Sequence, residues 1–452
     1  MSTVFDIKEH VIDTQHIREY PRATAHSQEE VLQLAVKQYI PKDNPDPKPG
    51  DITIIASHAN GFVKELYEPL WEDLLHSCLE NGVNIRGIWI ADIAWQGQSS
   101  ILNEGRLGND PSWLDHARDL LHLTNVFRAQ MPRPIVGIGH SFGGNIIVNL
   151  SLIHPRLLSA LVIIDPVLTR ANVHGGPLHG FTSTVGASSR RRDLWPSRAE
   201  AERGVRRNAF YKAWDPRVVD KLVEFGFRDC PTALYPDKGG GKHDAGSGKG
   251  SGEEVTLTTT KHMECFTYYR PTHLGPRDPE TGRRVLDRSL IPDATDYVDE
   301  YPGFPFYQPL TPVTAGRLPE LRPSVLWVAG EDSSVCPPVA RKEKMDLTGN
   351  GVGGSGGAKA GRVKELVVKG TGHLVAMEKP GVLASNAAGF IRGEVERWRK
   401  EEEDYRRWVD GVDDRQKAIM DEEFLALANS VGPEANRRRD GTLSRVEVKP
   451  KL

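Results

Sequence analysis

Residues 134–144 read PIVGIGHSFGG and residues 145–150 continue as NIIVNL. The first six are apolar or glycine, short enough for a strand and dense enough for one covered on both faces. The continuation carries Ile146, Ile147 and Leu150 in a helical pattern. Between the two, Gly139-His140-Ser141-Phe142-Gly143 matches G-x-S-x-G. A sharp strand-to-helix turn needs small flanking residues and lifts a serine hydroxyl above the end of a sheet. The helix that follows aims its first amides at negative charge developing there. A glycine-rich turn that merely contains serine is the plain alternative, and the flanking strand and helix argue against it.

The pattern spreads in both directions. Upstream, Leu32, Leu34 and Val36 alternate with polar residues, and Asp51–Ser57 (DITIIAS) is a buried strand. Leu66, Leu70, Leu74 and Cys78 then recur at i+4 on a helix, Ile85–Ala91 is a strand, and Trp113–Met131 is helical. Downstream, Ala160–Ile164, Pro323–Ala329 and Val363–Val368 are strands, and a helix follows Pro380. Strand and helix in alternation predict an α/β fold, a mostly parallel central sheet with helices on both faces. The rhythm breaks over 168–320, which predicts an inserted, largely helical cap. The core is then 1–167 and 321–400, and 401–452 is a charged extension.

Composition narrows the classes. The chain has 452 residues with a formal net charge of −3, so no global field favours nucleic acid. Seven of the 44 glycines fall in 239–252 and seven in 349–361; both stretches read as flexible insertions. Cys78, Cys230, Cys265 and Cys336 have no metal-binding or disulfide spacing, which fits a reducing compartment. No apolar run reaches the ~20 residues that span a bilayer. The amino-terminal MSTVFDIKEH lacks the layout of a secretory signal, so a soluble intracellular protein is expected.

A serine hydroxyl at neutral pH needs a base beside it. In this chain order the base comes last, after the final strand, where His373 stands in Gly372-His373-Leu374. It is the only one of 15 histidines beyond residue 273. The acid that orients it has two candidates: Asp332, in GED after the penultimate strand, and Asp165, in IDP after the preceding one. Layout alone favours Asp332. The oxyanion requires two backbone donors, and the amides of Phe62 and Phe142 are in the right places. His58 is expected to brace the loop HANGF, and DIAWQGQS over 92–99 to be structural. Residues 190–217 hold nine Lys/Arg against four Asp/Glu. Arg190, Arg191, Arg192, Arg206 and Arg207 suit phosphates of an acyl carrier such as coenzyme A, or else pair along an exposed helix, as Glu202 with Arg206.

The run HANGFVKELY (58–67), with GHSFGG (139–144) and a terminal Pro450-Lys451-Leu452, resembles one fungal branch of the α/β-hydrolases. That branch includes a peroxisomal lipase, hydrolases of host-selective-toxin clusters and an acyl-CoA hydrolase of mycophenolic acid biosynthesis. The resemblance implies an α/β-hydrolase fold, Ser141 as nucleophile and His373 as base. It also implies Asp165 as the acid, against layout; Asp165 is taken here, with Asp332 in reserve. It further implies hydrolysis of an ester or acyl-CoA thioester through an acyl-enzyme, with no cofactor or metal. Epoxide hydrolase and dehalogenase chemistry is disfavoured, because those relatives place Asp where this chain has Ser141. A catalytically silent binding protein on the same fold is the alternative. The terminal PKL is similar to the Ser-Lys-Leu address, which implies a peroxisomal import receptor as partner and the peroxisomal matrix as destination.

Overall fold

The computed structural model describes residues 3–170, 181–236, 254–271, 276–282 and 306–430, with single positions at 285, 287, 289 and 293. Eight strands make the main sheet: β1 (Phe5–Asp13), β2 (Gln33–Pro41), β3 (Ile52–Ser57), β4 (Ile85–Ala91), β5 (Ile135–His140), β6 (Ala160–Ile164), β7 (Ser324–Gly330) and β8 (Val363–Val368). Their order is β1-β2-β4-β3-β5-β6-β7-β8. Only the β1–β2 and β2–β4 pairings are antiparallel, so β2 alone runs against the rest.

The central strands are near-continuous apolar runs because helices cover both faces. Successive residues of one strand serve opposite cores: Ile54 packs with α1 (Glu68–Glu80), while Ile55 packs with α2 (Trp113–Val126) and α3 (Phe142–Ile153). β1 carries no such signal. Only Phe5 of its nine residues is buried, and the strand is held by its full-length pairing to β2. The sheet order reverses between β3 and β5, since the chain leaves β3 for one side and enters β5 on the other. Sites in open α/β sheets assemble outside the strand carboxyl ends at such a switch point.

Residues Met1–Glu396 form one compact unit, and Arg397–Leu452 form a second. Between β6 and β7 the described elements include α4 (Pro216–Phe225), α5 (Lys261–Tyr268) and a small three-stranded sheet. Helix α6 (Pro380–Gly411) buries Leu383, Ala387 and Ile391 and has no buried residue beyond Val395.

The glycine run 239–252 lies outside the described residues. The run 349–361 corrects the expectation of a flexible insertion. Its amides bond back to the segment before β7: Gly349 to the Leu318 carbonyl at 2.9 Å, Gly351 to Pro319 at 2.8 Å and Ser355 to Leu321 at 2.9 Å. A Cβ on Gly354 would lie 2.4 Å from both the Gly349 and Pro319 carbonyl oxygens. Glycine here permits close backbone contact, a use that composition cannot tell from slackness.

Candidate active site

Three strand ends converge. Ser141 leaves β5 with φ 57° and ψ −118° and caps α3. Asp165 leaves β6 with φ 41°, and His373 stands on the loop after β8. Among the described residues, Ser141 and Asp165 are the only non-glycine positions with positive φ. Backbone held this way costs on the order of 1–3 kcal/mol per residue and persists where the surroundings enforce it. Gly143 is part of that enforcement. A Cβ there would lie 2.2 Å from the Ser57 carbonyl oxygen and 2.5 Å from that of His58, so the turn after β5 packs directly on the end of β3.

His373 Nδ1 lies 2.7 Å from Asp165 Oδ1 and its Nε2 lies 2.8 Å from Ser141 Oγ. With Asp165 ionised, its oxygen only accepts; Nδ1 then carries the proton and Nε2 faces the serine with a lone pair. Asp165 is fully buried, which by itself would raise its pKa. The bond to His373, the Ser333 hydroxyl at 2.6 Å and the Gly330 amide at 2.9 Å outweigh burial and hold the carboxyl below its ordinary value. Asp332 is exposed, two residues past β7, and its amide donates to the Thr371 carbonyl at 3.0 Å. The structure therefore brings Ser141, His373 and Asp165 into one line and leaves Asp332 beside it.

Phe142 is the first residue of α3, so its N–H has no intrahelical acceptor. The Phe62 N–H lies 3.2 Å from the Ala59 carbonyl, a long turn bond, and that of Gly61 donates to Gln96 Oε1 at 2.9 Å. Gln96 Nε2 donates in turn to Asn60 Oδ1 and to Thr267 Oγ1 on α5. His58 is fully buried and spans Ala59 O and Ile93 N, a bracing position. Asp92 accepts from the Lys64 backbone and side chain and from Gln98 N, so the 92–99 turn wraps a buried ion pair.

Ser333, Gln96 and Thr267 escape sequence reasoning. Ser333 is adjacent to the carboxylate weighed there, but its bond partner is 168 positions away. Gln96 and Thr267 stand 171 positions apart and meet only in the folded chain. Of the arginines in 190–217, Arg206 is taken by Glu202 and Asp220, each at 2.8 Å, and Arg191 by the buried Glu264 at 2.6 Å. Among the described residues, no cluster of His, Cys, Asp and Glu has the makings of a metal site, and no helix is long and apolar enough to cross a membrane.

A mostly parallel sheet with a serine on a strained strand-to-helix turn, and partners from later strand ends, defines the class of hydrolases built on this fold. The chain belongs to the alpha/beta hydrolase family, whose model matches residues 58–387. It is 42% identical over 411 residues to the type I acyl-CoA thioesterase mpaH of Penicillium roqueforti, covering 89% of this chain and 91% of that one. It is 28% identical over 264 residues to the abhydrolase domain-containing protein AFT2-1 of Alternaria alternata, covering 58% and 84%. Among solved structures, the peroxisomal alpha-beta-hydrolase Lpx1 of Saccharomyces cerevisiae superposes with a TM-score of 0.62 at 15% identity, over 98% of this chain and all of that one.

Proposed function

We propose that this chain is a serine hydrolase that cleaves acyl-CoA thioesters through an acyl-enzyme. The hydrogen-bonded line Ser141–His373–Asp165 carries the reading. Ser141 Oγ attacks the thioester carbonyl as His373 Nε2 takes its proton, and Asp165 steadies the imidazolium that forms. The oxyanion is received at the amino end of α3 by the Phe142 amide, and by the Phe62 amide as it turns from Ala59. The tetrahedral species collapses, the C–S bond breaks, and His373 protonates the departing thiolate. His373 then deprotonates water, which attacks the acyl-enzyme and frees the carboxylic acid and Ser141.

Thioester over ester rests on the similarity to the Penicillium thioesterase. Residues 168–320 serve as the cap, and its Phe210, Tyr211 and Trp214 stack edge to face, with Trp214 5.5 Å from Phe62. That aromatic wall beside the oxyanion loop suits an apolar acyl group. A panel of acyl-CoAs and matched p-nitrophenyl esters tests the choice. The expected result is higher kcat/KM on the thioesters, with Ser141 labelled by a fluorophosphonate. Higher kcat/KM on the esters would make this an esterase, and a folded protein that resists labelling would make it a silent binder.

A peroxisomal destination belongs to the same proposal. It rests on Pro450-Lys451-Leu452, which lie outside the described residues. A fluorescent fusion ending in a free Leu452 should be punctate, and removing Lys451-Leu452 should make it diffuse. Diffuse signal from both removes the claim.

A further inference from the structure

A second hydrogen-bonded line runs behind the first. The Ala59 N–H donates to Tyr67 Oη at 2.9 Å, Tyr67 Oη lies 2.8 Å from His140 Nδ1, and His140 Nε2 lies 3.1 Å from the His373 carbonyl oxygen. Chemistry fixes every direction. A carbonyl oxygen only accepts, so His140 carries its proton on Nε2. Its Nδ1 is then a bare lone pair, the Tyr67 hydroxyl donates to it, and the Tyr67 oxygen takes the Ala59 proton. Ala59, Tyr67 and His140 are all buried. Burial, with the His373 ring beside it, pushes His140 down to about 3, so the ring stays neutral through the physiological range and the directions hold.

Each station on this line is part of the site. Ala59 belongs to the loop that carries Phe62, His140 is peptide-bonded to Ser141, and the accepting carbonyl is that of His373 itself. We propose that Tyr67 and His140 are positioning residues, a neutral relay that holds the oxyanion loop, the nucleophile turn and the base loop at one mutual spacing. The relay rests on the roles proposed above for Ser141 and His373. His140 is neither a second base nor a substrate contact, because both ring nitrogens are committed. Its two bonds are also unlike those of a filler: each joins segments more than seventy positions apart in the chain.

Three substitutions separate positioning from mere packing. In His140→Gln the side-chain amide nitrogen reaches close to the place of imidazole Nε2 and still donates to the His373 carbonyl. In His140→Leu the volume is roughly kept and nothing donates. In Tyr67→Phe one oxygen is lost, leaving the Ala59 N–H and His140 Nδ1 without their partner. His140→Leu is expected to lower kcat by about 10²-fold, the scale of a small misplacement of reacting groups, with KM nearly unchanged. His140→Gln should recover most of that loss, and Tyr67→Phe should fall between. The rate at which a fluorophosphonate labels Ser141 should follow the same order, whichever ester or thioester is the substrate. Equal kcat for the Gln and Leu variants overturns the relay, as does a loss that falls on KM or tracks melting temperature. If His140→Leu does not fold, Tyr67→Phe decides alone, and an unchanged kcat there rejects the idea. A Ser141→Ala control that kept hydrolysis would instead reject the roles the relay serves.

Discussion

Replacing Ser141 by Ala is expected to lower kcat by on the order of 10⁶-fold, the scale seen when a triad nucleophile is removed. Nothing else in the line can substitute for it. The His373 lone pair points at Ser141 Oγ, and without that oxygen there is no group placed to form the acyl-enzyme. Substrate binding should survive, since the substitution removes one oxygen and leaves the rest of the fold in place. Single-turnover kinetics on the best substrate of the panel will show whether an acyl-enzyme accumulates in the parent and vanishes in the variant. Activity within tenfold of the parent would require a different nucleophile and end the proposed mechanism.

Asp165→Asn is the second large effect, about 10⁴-fold in kcat, with Asp332→Asn leaving kcat unchanged. An amide at 165 can present its NH2 to His373, which forces the proton onto Nε2 and turns the lone pair away from Ser141. It also weakens the reception of the Ser333 hydroxyl and the Gly330 amide, two donors that the carboxylate now satisfies. Measuring kcat and melting temperature for both variants separates orientation from stability. The reverse ranking of the two variants would move the acid to Asp332. Because the Asp165 carboxyl is held below its ordinary value, it stays ionised at neutral pH. Its stabilising contribution is present above the unfolded-state value, and it is lost as pH falls through the lower folded value.

What sequence alone makes legible follows the physics of each feature. Ser141 and the strands around it are local: an apolar run, a small-residue turn and a helix sit within about twenty positions. Asp165 lies at a strand end and so is visible as a candidate, but the choice between it and Asp332 depends on which loop the His373 ring faces. That is a property of the folded edge. Ser333, Gln96 and Thr267 act through partners tens to hundreds of positions away, Tyr67 joins Ala59 nearby to His140 seventy-three positions on, and no spacing rule reaches them. The 349–361 run failed for another reason, since glycine looks the same in sequence whether it loosens a chain or lets two backbones touch.

The two strained residues carry a last consequence. Ser141 and Asp165 hold backbone angles that glycine tolerates far better, so the positions that conduct the proposed chemistry are, among the described residues, the non-glycine ones with strained positive φ. A laboratory selection for heat resistance alone would drift toward glycine at Ser141, gaining robustness as it erased turnover, whereas at Asp165 the bonds to Ser333 and Gly330 offset the backbone strain. Thermal tolerance and catalytic competence are therefore set against each other at one identifiable codon, and engineering for durability must look elsewhere in the chain.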